Sequence, residues 1–178
     1  MDLNEAMVLC EMNESEYNWI DFFFDICDTI SEKSKDPSTK VGCVIVNNGN
    51  SIVSTGYNGF PIGVEDNINS SRYERPEKYS WTAHAEENAI AFAARNGVSL
   101  NGATLYVNRM RPCTRCTRLI IQAGIKKVYV MQDVPDETVI RWKEDNDIAD
   151  IMMKEAGVDI IIFKNKHYRR KENERKSK

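Results

Sequence analysis

Two short stretches carry side chains suited to chemistry: His84-Ala85-Glu86 and Pro112-Cys113-Thr114-Arg115-Cys116. A catalytic zinc takes three N or S ligands and keeps a fourth position for water, and His84, Cys113 and Cys116 supply such a set. Glu86 is then left over. A carboxylate close to a zinc ligand, and not itself a ligand, is placed to take a proton from metal-bound water and pass it on. Each residue also has a blander reading. A C-x-x-C pair can be a redox couple or half of a structural zinc knuckle, and a single histidine on a helix is often a satisfied core residue. A structural site would need a fourth ligand. The other histidine, His167, lies in a charged tail, and Cys10, Cys27 and Cys43 stand at no metal-like spacing from the motif. Cys43 falls in an apolar run and reads as a buried thiol.

The ligands need helices to hold them. Cys113 and Cys116 share a helical face, and Pro112 suits a helix start, where its missing N–H costs nothing. His84 opens an alanine-rich run, Ala89 to Ala94, that reads as a second helix. His84 and Glu86 would diverge by about 200° in mid-helix, so both belong at its mouth. Two helix N-termini then point at one metal and favour thiolate over thiol.

Before these elements, a helix is expected from Glu14 to about Lys33, with Ser15 as its cap, then a strand Val41–Val46, a turn at Asn47–Asn50 and a partner strand Ser51–Gly56. Gly56-Tyr57-Asn58-Gly59-Phe60-Pro61-Ile62-Gly63 reads as a loop whose glycines allow close backbone approach to a ligand, or as an ordinary turn. Residues 64–82 are polar and irregular, with Arg72, Arg75 and Lys78 among Tyr73, Tyr79 and Trp81. Later strands are expected at Ala103–Val107, Lys126–Met131 and Val158–Phe163, with a helix, acidic on one face, over 136–156. The strand–helix–strand alternation implies parallel crossovers beside an antiparallel hairpin, hence an α/β fold with a mixed sheet covered by helices.

The 178 residues fit one domain, expected over 1–163, and 42% hydrophobic with 29% charged content is that of a soluble globular protein. The net charge of −3 and the pI near 5.5 argue against a protein that coats nucleic acid. No apolar run approaches the roughly 18 residues of a membrane span, and the start MDLNEAM has no basic signal region, so a cytoplasmic protein is expected. Five cysteines, two of them assigned to zinc, fit a reducing compartment better than a disulfide framework. Residues 164–178 carry eight Lys or Arg against two Glu and read as a solvated tail.

The pairing of H-x-E with P-C-x-x-C marks zinc-dependent nucleobase deaminases. More specifically, Ser34-Lys35-Asp36-Pro37, Val41-Gly42, GYNGFPIG at 56–63, HAEENAIAFAAR at 84–95 and PCTRCTRLIIQAGIKKV at 112–128 resemble, in order, the blocks of the deoxycytidylate (dCMP) deaminases of the cytidine deaminase superfamily. The resemblance spans about residues 15–163 and implies a three-layer α/β/α fold with a mixed five-stranded sheet. It implies that Asn58 touches the sugar, that the Ala85 N–H holds the pyrimidine O2, and that Phe92 and Arg95 line the nucleotide end of the pocket. Arg95 would face the 5′-phosphate; it follows His84 by about three turns, on roughly the same helical face, though a solvent-facing arginine is the competing reading. The resemblance further implies a homohexamer, with dCTP and dTTP as effectors near Gly56, Tyr57, Gly59 and Gly63. Some relatives bind a second zinc in the stretch before the histidine. Here 59–83 hold no Cys or His, so one zinc per chain is expected. The chain departs from the pattern at Glu87, where a small or apolar residue is common, at Thr117-Arg118 in place of Ala-Lys, and at Arg111, where an apolar residue is usual.

The implied reaction is hydrolysis of dCMP to dUMP and ammonia, supplying dUMP for thymidylate synthesis. Zinc lowers the pKa of its water to about 7, water attacks C4, and Glu86 carries protons to N3 and then to the leaving amine. Two other readings are an RNA or single-stranded DNA base deaminase using the same site, which would need stacking surfaces and a backbone-tracking groove, and a non-catalytic zinc-binding regulatory protein.

Overall fold

A computed structural model describes residues 19–164. The capping role expected of Ser15, and the tail beyond Lys164 with His167, lie outside the described residues, as does Cys10. The elements run α1 Trp19–Ser31, β1 Gly42–Val46, β2 Ile52–Tyr57, α2 Lys78–Trp81, α3 Ala85–Arg95, β3 Thr104–Arg109, α4 Thr114–Gln122, β4 Lys127–Gln132, α5 Asp136–Arg141, α6 Lys143–Glu155 and β5 Asp159–Lys164. Five strands form one mixed sheet in the order β2-β1-β3-β4-β5. β1 pairs antiparallel with β2 and β3, while β3–β4 and β4–β5 are parallel. This is the mixed α/β sheet the sequence implies. Strand boundaries move by a residue or so, and Lys164, expected to open the tail, ends β5.

Alternation along the strands builds two cores. Cys43, Ile45, Leu105, Val107, Val128, Val130 and Ile162 point to one face, where they meet Ala85, Ala89 and Ala93 of α3, Ile120 of α4 and Met153 of α6. Val44, Val46 and Tyr106 point to the other, under Phe23, Phe24 and Cys27 of α1. β1 is covered on both faces, which is why its sequence is continuously apolar instead of alternating.

Gly56 shows how close the layers lie. A Cβ there would stand 2.3 Å from Ala85 O and 2.4 Å from Ala89 N, so only glycine lets α3 rest on β2. The close approach that this glycine permits is to a helix.

Residues 60–82 are more ordered than their composition suggests. The Gly59–Ala83 bridge pins the ends of this insert. Within it Phe60 stacks on the buried Tyr73 with ring centroids 4.6 Å apart, Tyr73 donates to Asp66, and Arg72 lies 4.1 Å above the Trp81 ring. A 3₁₀ turn at Ser71–Tyr73 and helix α2 follow from that packing. Periodicity could not reveal them, because stacked aromatics organise the segment and no repeated apolar face does. The expected single helix over 136–156 is likewise two, broken at Trp142.

Candidate active site

His84 is the N-cap of α3 and Cys113 the N-cap of α4, with Cys116 in the first turn of α4. Both ligand helices thus begin at the site, as the proline and the alanine run imply. His84 Nδ1 lies 3.4 Å from each of the two sulfurs, which are 3.6 Å apart. Tetrahedral zinc, with Zn–S about 2.3 Å and Zn–N about 2.0–2.1 Å, sets its ligand atoms about 3.5–3.8 Å apart, so the triangle fits that metal. No further Cys, His, Asp or Glu completes the cluster among the described residues, which leaves a fourth position for water. Contact with the Cys116 thiol brings the Cys113 thiol down to about 4, burial opposing and His84 assisting, so one thiolate exists at neutral pH. Cys116 is pushed up by Cys113 and by its own burial.

Glu86 is 4% exposed and outside the ligand triangle. Burial pushes its carboxyl up to about 7, against the pull of His84, so near neutral pH it can both accept and release a proton.

The neighbouring Glu87, unusual for the resembled family, has a definite role here. Its Oε2 accepts the backbone N–H of His84 at 2.7 Å and pairs with Arg115 Nη2 at 2.8 Å. It therefore caps the helix that carries one ligand and ties it to the helix that carries the other two. The spacing of an N-cap residue followed three positions later by Glu is a capping-box signal, obscured because histidine stands at the cap. The acidic face expected on 136–156 also turns inward in part: Asp145 accepts from Thr114 N and Thr114 Oγ1 at the start of α4, and Asp150 pairs with Arg111.

A pocket of about 370 Å³ opens onto this cluster, with His84, Ala85, Glu86 and Cys113 in its lining. Asn58 lines it too, but its amide is largely engaged: Oδ1 accepts from Val41 N at 2.8 Å, and Nδ2 donates to Thr39 O at 2.9 Å. Behind it Asp36 receives Ser38 N, Thr39 N and the buried Lys78 ammonium, whose Nζ is 2.8 Å from Oδ2. Burial raises the Asp36 carboxyl, but Lys78 and the two N–H groups outweigh it and hold it below its usual value. Ser34 closes the group by donating to Asn58 O at 2.7 Å. Two of the sequence blocks, at 34–37 and 56–63, are thus joined in one pocket wall.

Phe92 and Arg95 are not brought to this pocket. Arg95 ends α3 and is exposed. Its helical face is the expected one, but eleven residues at about 1.5 Å each carry it roughly 16 Å along the axis. Gly56, Tyr57, Gly59 and Gly63 do not line the pocket either; Gly56 is covered by α3, and Gly63 is exposed. The sequence reading missed Pro135, Thr138, Arg141, Trp142 and Asn146, which also line the pocket. No motif signals them.

The family model for the cytidine and deoxycytidylate deaminase zinc-binding region matches residues 17–132. The chain is 43% identical over 142 residues to an uncharacterized deaminase of Aliivibrio fischeri, covering 80% of this chain and 91% of that protein. It is 35% identical over 164 residues to a deoxycytidylate deaminase of Mus musculus, with 90% and 88% covered. Among solved structures it is similar to the dCMP deaminase of cyanophage S-TIM5 in complex with dCMP and dUMP, with a TM-score of 0.63 and 27% identity, covering 80% of this chain and 95% of that one.

Proposed function

The chain belongs to the cytidine and deoxycytidylate deaminase zinc-binding family, and from that premise we propose that it hydrolyses dCMP to dUMP and ammonia. The observation that carries this reading is the buried Glu86 beside a three-ligand cluster at the base of a pocket of single-nucleotide size. Zinc held by His84, Cys113 and Cys116 supplies a Lewis acid that lowers the pKa of a bound water to about 7. Glu86 takes one proton of the attacking water and delivers it to ring N3, then takes the second from the new C4 hydroxyl and gives it to the exocyclic amine, so that ammonia leaves as the C4 carbonyl forms. The first-turn N–H of Ala85, which no carbonyl of its own helix can satisfy, holds the pyrimidine O2. Asn58 and the Asp36–Lys78 group behind it shape the wall that meets the sugar.

The same reading includes a cytoplasmic protein, supplying dUMP for thymidylate synthesis, that assembles as a homohexamer regulated by dCTP and dTTP. No described helix is long and apolar enough to cross a membrane. Ammonia release measured with dCMP, cytidine, dCTP and a cytosine-bearing oligonucleotide tests the substrate. Turnover confined to dCMP supports the reading, and preference for the oligonucleotide refutes it. Light scattering with and without the two triphosphates tests the assembly.

A further inference from the structure

The Asn58 amide has a donor end and an acceptor end, and the end left free toward the pocket decides which ligand group it can meet. The residue is 7% exposed and lines the pocket. Oδ1 accepts from Val41 N at 2.8 Å, while Nδ2 donates to Thr39 O at 2.9 Å and reaches Asp36 Oδ2 at 3.4 Å. Turning the amide over would set Nδ2 against the Val41 N–H and Oδ1 against two acceptors, so the surrounding atoms allow one orientation. In it both hydrogens of Nδ2 are engaged and Oδ1 keeps a second lone pair. Toward a ligand, Asn58 is an acceptor.

That orientation is imposed by residues remote in sequence. Thr39 O and Val41 N belong to the stretch between α1 and β1, and Asp36 Oδ1 fixes this stretch by accepting Ser38 N at 2.8 Å and Thr39 N at 3.2 Å. Asp36 is held in turn by the ammonium of Lys78, which opens α2 in the insert and lies 3.0 and 2.8 Å from the two carboxylate oxygens. The Lys78 and Asp36 side chains are only 8% and 4% exposed. Apolar side chains of similar volume commonly stabilise a fold as well as a buried ion pair does, so stability alone does not account for this one.

The inference rests on dCMP as the substrate, a nucleotide with one free sugar hydroxyl, at C3′. We propose that Asp36 and Lys78 are positioning residues that hold Asn58 as an acceptor for that hydroxyl, so that the pocket selects nucleotides with a hydrogen-bond donor at C3′. Lys78 acts through Asp36, and Asp36 acts through Asn58 and the backbone at Thr39 and Val41.

The test measures kcat/KM for dCMP and for its 3′-amino, 3′-fluoro and 3′-deoxy analogues. It uses wild-type protein, Lys78→Met, and the double variant Asp36→Asn with Lys78→Met, which removes both buried charges together and leaves neither stranded. The wild type should use the 3′-amino analogue, which keeps a donor, as it uses dCMP. It should use the 3′-fluoro and 3′-deoxy analogues about 2- to 10-fold less efficiently, the usual worth of one neutral hydrogen bond. In both variants this preference should fall toward unity, dCMP losing more than the 3′-deoxy analogue. A wild type that uses the 3′-fluoro analogue as well as dCMP overturns the acceptor assignment. Variants that lose equally on dCMP and the 3′-deoxy analogue, or that keep the wild-type preference, overturn the positioning role. A wild type inactive on dCMP removes the substrate reading itself.

Discussion

Replacing Glu87 by alanine tests whether the two ligand helices are held as a unit. The substitution removes the acceptor for His84 N–H, a cap worth about 0.5–2 kcal/mol. It also removes the ion pair with Arg115, whose partners are 43% and 17% exposed; such solvated pairs are worth about 0.2–1 kcal/mol. The sum is about 1–3 kcal/mol, which in a chain of this size lowers Tm by about 2–12 °C. Because His84 loses the bond that fixes its backbone at the helix mouth, zinc should bind about 10- to 100-fold more weakly, the usual cost of removing a group that orients a ligand. Glu87→Gln keeps an acceptor for His84 N–H and loses the charge, so its Tm loss should be the smaller part. Thermal melts of the zinc-loaded protein and competition with a chromogenic chelator read the two effects separately. A Glu87→Ala protein that melts and binds zinc like the wild type would refute the coupling.

Glu86→Gln should keep its zinc, by metal analysis, and lose turnover by about 10²–10⁴-fold or more, since the carboxylate serves as proton carrier and not as ligand. Chelator-treated protein should react with iodoacetamide at Cys113 in preference to Cys116 at pH 6, because the first thiol lies near 4 and the second is raised; equal labelling by peptide mass spectrometry would contradict this. Gly56→Ala should cost about 1–3 kcal/mol in urea unfolding, as the new methyl would stand 2.3 Å from Ala85 O. Asp36→Asn should destabilise by about 3–5 kcal/mol at neutral pH. The native carboxyl is held below the unfolded value of about 3.9, so its stabilisation is present above that pH and is lost as pH falls through the native value; the gap between wild type and variant should shrink below about pH 4.

The site's chemistry was legible because it resides in residue types at fixed short spacing. His84, Glu86, Cys113 and Cys116 need only helix mouths to converge, and Pro112 and the alanine run announce both helices. The mixed sheet was legible for a similar reason, since β-branched runs alternate with helical ones. What stayed hidden depends on distance along an axis or on packing between remote segments. Arg95 satisfies an angular rule, but the length of α3 carries it away from this pocket. The insert gave no periodic signal because Phe60, Tyr73 and Trp81 order it by stacking. Asp145 and Asp150 belong to the acidic face expected on 136–156, and only the fold shows that α6 turns them toward α4 and Arg111.

The Asp36 group also constrains how this chain can diverge. One carboxylate serves Ser38 and Thr39 beside it, Asn58 in the loop after β2, and Lys78 in the insert. Losing Lys78 first strands a buried carboxylate, and losing Asp36 first strands a buried ammonium. Either single step costs about 3–5 kcal/mol, a large share of a domain's total of about 5–15 kcal/mol. Descendants therefore either inherit positions 36 and 78 together or exchange both within a short interval, whereas exposed neighbours such as Glu74 and Glu77 drift one at a time.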